Sequence, residues 1–182
     1  MMRDNHLGCA GGSMQVIAFS GHIEDARGIR AYLSVAQSSG QVWRRYRTTT
    51  AIWSLGVLAG RFADSHPQES RLIAEYLMAC SGHPSQADAT SINVRSSDTR
   101  HTRSHLWSIN LNCTRALGWT RQPAAHEILA DIADDDDSPH VKAARRALEH
   151  AVFIEEHEEL LLKHFGPRRS VPVLRYSHET QP

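Results

Sequence analysis

Residues 113–151 read CTRALGWTRQPAAHEILADIADDDDSPHVKAARRALEHA, and this stretch decides the fold class. Leu106, Ile109, Cys113, Ala116 and Leu117 recur at three- and four-residue intervals, the spacing that puts side chains on one face of a helix. Gly118 follows as a C-terminal cap, and Pro123 suits the first turn of the next helix, where its missing N–H costs nothing. That helix turns Ala125, Ile128, Leu129 and Ile132 inward. After Asp134–Asp137, Ser138 can accept from the free N–H groups of a third helix, with Pro139 at its first position. The third helix is expected to bury Val141, Ala144, Leu148 and Val152. It continues, or bends around Glu155–Glu159, through Leu160–Leu162 to Phe165, where Gly166-Pro167 stops it.

Working outward, helical spacing also covers His22–Gln37 through Ala26, Ile29, Leu33 and Ala36, ended by Ser38, Ser39 and Gly40. A stronger stripe runs over Trp43–Phe62 through Ile52, Leu55, Leu58 or Ala59 and Phe62, although β-branching at Thr48–Thr50 weakens its start. Gly60 and Asp64–Pro67 mark its exit. Helical period resumes over Gln68–Cys80 through Leu72, Ile73, Tyr76, Leu77 and Cys80, so two amphipathic helices flank a short polar connection as an antiparallel hairpin. Residues 81–99 are rich in Ser, Asp, Gly and Asn and read as an inserted polar loop. Residues 1–21 read as a flexible leader, the first thirteen holding Gly8, Gly11 and Gly12 with little hydrophobic pattern, and residues 166–182 as a short C-terminal tail.

Self-comparison strengthens the repeat reading. Arg115-Ala116-Leu117-Gly118 and Arg146-Ala147-Leu148-Glu149 match at an offset of 31 residues, and Ser54-Leu55-Gly56 lies two such offsets upstream of Ala116-Leu117-Gly118. One helical-hairpin repeat has about this length, roughly 30 to 45 residues. Cys113–Ala151 therefore resembles a HEAT-like repeat of the kind also found in phycobilin-lyase-type proteins. The resemblance implies an all-α chain, a short α-solenoid of stacked antiparallel helical hairpins in a right-handed superhelix over residues 22–165, with an exposed concave face. A lone hairpin cannot cover its own apolar side, so such units stack.

With 41% hydrophobic and 22% charged residues in 182, the chain can bury one sizeable core. No apolar run approaches the roughly 18 to 20 residues of a membrane span. The N-terminus lacks the order of charge, apolar stretch and cleavage site of a signal peptide. The expectation is a cytoplasmic protein. Formal charge sums to zero, yet residues 1–121 hold 13 basic and 8 acidic side chains, while residues 122–165 hold 4 and 11. A balanced total argues against a dedicated nucleic-acid binder, whose phosphate contacts need cationic excess. Cys9, Cys80 and Cys113 are odd in number and form no Cys-x-x-Cys pair, so they read as small core residues or surface thiols.

The twelve histidines are candidate ligands or acid–base groups. His101 and His105 sit four apart but no third ligand is identifiable. His150, His157 and His164 share a stripe with Glu149, Glu156 and Glu158 that reads as a solvated polar face. His126-Glu127 and His157-Glu158 are 31 residues apart, which invites comparison with the iron-holding His-Glu pairs of HEAT-repeat deoxyhypusine hydroxylases. Two pairs supply too few ligands, and the first lies on the wrong helix of its repeat. Asp134–Asp137 lacks EF-hand spacing and reads as a turn. No cofactor or metal is expected, and no phosphate-binding loop or nucleophile elbow occurs.

The leading expectation is a non-enzymatic scaffold or adaptor that binds a protein partner on its concave helical face. Its partner-binding residues are expected among Trp43, Arg44, Arg45, Arg47, Arg100, Arg103 and Arg115. The same residues carry an alternative, nucleic-acid binding, since guanidinium groups pair with phosphates and aromatic rings stack on bases. A HEAT-like enzyme or chromophore-lyase-type factor is the other alternative, favoured if His126, Glu127 and His157 line one cleft. Oligomeric state and partner identity stay open.

Overall fold

The computed structural model describes residues 9–38, 45–81 and 99–157, with side chains over 14–34, 47–81 and 107–157. All of its regular structure is helical: α1 (Cys9–Ser20), α2 (Asp25–Ser38), α3 (Arg45–Arg61), α4 (Pro67–Cys80), α5 (Thr99–Leu117), α6 (Pro123–Asp134) and α7 (Val141–Glu156). No strand occurs among the described residues, so the all-α expectation holds. None of the described helices is long and apolar enough to cross a membrane. The polar loop expected over 81–99 and the tail over 166–182 lie almost wholly outside the described residues.

Helices α3 and α5 are the central pair. α3 packs on α1, α2, α4 and α5, while α5 packs on α3, α4, α6 and α7. Their shared core contains Ile52, Leu55, Leu58, Ile109, Leu117 and Leu129, all at most 2% exposed. Small residues let the backbones approach. A Cβ added at Gly56 would fall within 3.0 Å of the Ala116 carbonyl oxygen, and one at Gly60 within 3.0 Å of the Trp119 carbonyl oxygen. These two glycines sit four residues apart, hence on one face of α3, and the last turn of α5 lies directly on them.

The other side of that turn meets α7 in the same way, because a Cβ at Gly118 would collide with the Ala147 carbonyl. Gly118 does end α5 at Leu117, as its sequence position suggested, but for a different reason. The left-handed backbone falls three residues later, on Arg121 with φ 54°. There the guanidinium reaches Asp64 Oδ2 at 2.9 Å, tying the α5–α6 connection to the α3–α4 turn.

Three expectations are corrected. Residues 9–20 of the expected leader form α1, whose Met14 and Ala18 are buried against α3. Ser54 Oγ donates to the Met14 carbonyl at 3.0 Å, and Arg61 Nη1 donates to the Ala18 carbonyl at 2.7 Å and the Gly21 carbonyl at 3.3 Å. A buried guanidinium thus satisfies carbonyls that the end of α1 leaves without partners and complements its dipole. Second, α7 buries Ala143, Ala144, Ala147, Ala151 and Ile154, not Val152, which is 53% exposed. The close approach at Gly118 admits only a small-residue face. Third, α7 starts at Val141, because Ser138-Pro139-His140 forms a turn in which Ser138 Oγ accepts from the His140 N–H at 3.3 Å.

Candidate functional site

A cleft of about 250 Å³ opens where α1 and α5 flank α3. Its floor is the middle of α3: Thr49, Thr50 and Trp53. Thr50 is buried and accepts, through its carbonyl, from Ser54 Oγ at 2.8 Å, so this part of α3 is tied down by its own side chains. The Trp53 ring is fixed from both sides by edge-to-face contacts, with Phe19 of α1 at 5.3 Å and with Trp119 at 5.9 Å between centroids. Such contacts hold an indole in one orientation.

The α5 wall is polar. Asn112 Nδ2 donates to Thr49 Oγ1 at 3.0 Å and to the Ser108 carbonyl at 2.7 Å. Both amide hydrogens are thereby used, which leaves Asn112 Oδ1 as an acceptor. Arg115, one turn later, is exposed at the mouth and has no ion-pair partner among the described residues. Ala116 keeps that edge low, and Gln15 of α1 is the opposite, exposed lip. The arrangement offers an aromatic floor, a neutral acceptor and a cationic donor within one turn of helix.

Of the residues expected to bind a partner, Arg115 alone lines this cleft among those described. Arg47 lies on α3, half-buried and engaged within the fold. Arg45, Arg100 and Arg103 lie on α3 and α5 with side chains outside the description, and Trp43 and Arg44 lie outside it altogether. Gln15, Thr49, Trp53 and Asn112 were not singled out from sequence. The available signal was a run of hydroxyls and one amide on otherwise apolar helical faces, and Gln15 was hidden in the expected leader.

The histidines are dispersed. His126 Nδ1 lies 3.7 Å from Glu155 Oε1, not against His157. His157 stacks on Phe153 at 4.2 Å, and His150 packs against Trp119 at 5.7 Å. Glu127 is exposed on α6. His126, Glu127 and His157 share no hydrogen bond, ion pair or ring contact with one another. No group of three or more metal-capable side chains occurs among the described residues. Asp135 Oδ1 accepts from the Asp137 N–H at 3.2 Å within the acidic turn, and Arg145 sets Nη2 3.0 Å from the Ala133 carbonyl and 3.6 Å from Asp136. The acidic run is thus a helix connection with its own cation.

His140 is buried, its ring 5.8 Å from that of Trp107, and burial lowers its pKa from the usual 6.5. Its Nδ1 has no hydrogen-bond partner among the described residues. Comparisons of the chain with protein-family models, with curated proteins and with solved structures find no match.

Proposed function

We propose that this protein is a non-enzymatic interaction module, a short HEAT-like stack that binds an acidic segment of a protein partner in the α1–α3–α5 cleft. The observation that carries the reading is Arg115, an exposed arginine at the mouth of a cleft with an indole floor. At about 250 Å³ the cleft is smaller than the roughly 300–1,000 Å³ of pockets that enclose a drug-sized molecule. It suits one or two side chains of an extended segment. Asn112 Oδ1 accepts a backbone N–H of that segment, Arg115 pairs with its carboxylate, and Trp53 supplies apolar contact.

Charge favours the same partner. The cleft is built entirely from the portion of the chain with 13 basic and 8 acidic residues, an excess of the sign that speeds encounter with an acidic segment. The pairing of α3 with α4 and of α6 with α7, together with the glycine-mediated contacts of α5, supports the stacked-repeat reading.

The test is selection of a displayed random-peptide library on the wild-type protein, followed by binding assays on Arg115→Glu. Enriched peptides should be acidic and should lose binding roughly 30-fold or more on the variant, the loss of about 2 kcal/mol or more expected when one partner of a pair desolvated on binding is reversed. Peptides without acidic bias, or with undiminished affinity for Arg115→Glu, would contradict the proposal.

A further inference from the structure

Cys80 closes α4 and Cys113 lies on α5, and these two helices pack together. Neither is in a disulfide and both are buried, 3% and 1% exposed. Burial is the ordinary fate of a free cysteine. Two of them in one core cluster, on helices that pack together, are less ordinary, and the Cys113 thiol sits where it can hydrogen-bond the Cys80 sulfur. The Tyr76 hydroxyl, one helical turn before Cys80, is within reach of the same sulfur, and Arg30 of α2 lies 5.0 Å from the centroid of the Tyr76 ring. Cys80 thus collects two donors and a nearby cation, all of which favour its thiolate, whereas Cys113 is enclosed in the core.

We propose that Cys80 and Cys113 form an oxidisable dithiol that reacts with hydroperoxides and closes into an intrachain disulfide between α4 and α5. The Cys80 sulfur attacks one peroxide oxygen, the O–O bond breaks, and Cys80 becomes a sulfenic acid while the first water (or alcohol) leaves with the Cys80 proton. The Cys113 sulfur then attacks Cys80, the S–O bond breaks, the S–S bond forms, and a second water carries away the Cys113 proton. Two thiols are oxidised by two electrons in total, and the peroxide is the two-electron oxidant.

The same contacts divide the roles. Hydrogen bonding from Cys113 holds the Cys80 thiol below its ordinary pKa against the opposing effect of burial, with Tyr76 and Arg30 adding to it, while burial pushes Cys113 well above. The thiolate is the nucleophile, so Cys80 attacks and Cys113 resolves. Cys80 is also the last residue of α4, where opening of a helix end admits a small oxidant at less cost than opening a helix centre.

The experiment treats the reduced full chain with hydrogen peroxide, blocks remaining thiols with N-ethylmaleimide under denaturing conditions, and maps the peptides by mass spectrometry. The expected result is a Cys80 peptide joined to a Cys113 peptide, lighter by two hydrogens than the separate pair, restored by dithiothreitol, with Cys9 alkylated. In Cys113→Ser, dimedone should label Cys80, and in Cys80→Ser, Cys113 should remain a thiol. Unchanged thiols, or Cys80 joined only to Cys9 or to a second chain, would overturn the proposal. The wild-type map decides the matter even where a variant does not fold.

Discussion

Gly60→Ala puts the packing of α3 on α5 under a direct test. In a helix alanine is preferred to glycine by about 1 kcal/mol, so propensity alone makes the variant more stable. The structure reverses the sign. The added methyl would lie within 3.0 Å of the Trp119 carbonyl oxygen, a backbone atom that cannot swing aside, on a residue whose ring is also held against Trp53. Overpacking of this kind costs about 1–3 kcal/mol and sometimes more, and here the strain extends into the α5–α6 connection anchored by Arg121. Because the obstruction is backbone, the cost lies in the upper part of that range, about 2–3 kcal/mol, and the net expectation is a loss of about 1–2 kcal/mol. For a chain of this size each 1 kcal/mol moves Tm by roughly 2–4 °C, so Tm should fall by about 2–8 °C in differential scanning calorimetry. Gly28→Ala is the matched control, because a Cβ there meets nothing within 4 Å. It should raise Tm by about 2–4 °C from propensity alone. A Gly60→Ala protein as stable as Gly28→Ala would refute the close approach of the two helices.

Replacing Arg61 with Met keeps the aliphatic stem but removes the donors to the Ala18 and Gly21 carbonyls, and should cost about 2 kcal/mol as charge-assisted bonds are lost. Hydrogen–deuterium exchange should accelerate over residues 14–20, and unchanged protection there would show that α1 docks without its cap. His140 titrates against folding: its folded pKa lies below the usual 6.5, so stability is fully present above pH 6.5 and declines as pH falls from there toward the folded value, where the unfolded chain binds the proton first. A His140→Leu variant should show a shallower loss of Tm on acidification below pH 6.5, and Tm–pH curves that run parallel to the wild type would refute the assignment. Thr49→Val removes the acceptor of Asn112 Nδ2 and should weaken selected acidic peptides several-fold while moving Tm by only about 2–4 °C, the effect of roughly 1 kcal/mol. Unaltered peptide affinity would place the cleft outside the binding surface.

The elements most legible from sequence are those whose punctuation and periodicity agree. In α6, Pro123 opens the helix and Ala125, Ile128, Leu129 and Ile132 are all buried as their spacing requires. In α1 the local signal fails, because its Gly-rich start resembles a leader and the helix is anchored by Arg61, 43 residues from Ala18 along the chain. In α7 the phase differs because side-chain size does not decide burial where backbones approach closely. Val152 and Phe153 face outward, while alanines face inward where backbone must meet backbone at Gly118. Leu72 on α4 is likewise 56% exposed. Within the cleft, the surface arginine Arg115 is visible from sequence alone. The Thr49–Asn112 contact joins residues 63 apart, and no local pattern encodes it.

The most direct test of the binding cleft is site-specific photo-crosslinking in the source cells, with benzoylphenylalanine placed at Gln15 on its lip or at exposed Leu72 on α4 as the control. The expected result is a discrete adduct from Gln15, traced by mass spectrometry to an acidic segment of one partner, absent at Leu72 and abolished by Arg115→Glu. An adduct of equal yield from Leu72, or one at Gln15 that persists in Arg115→Glu, would contradict recognition through the α1–α3–α5 cleft.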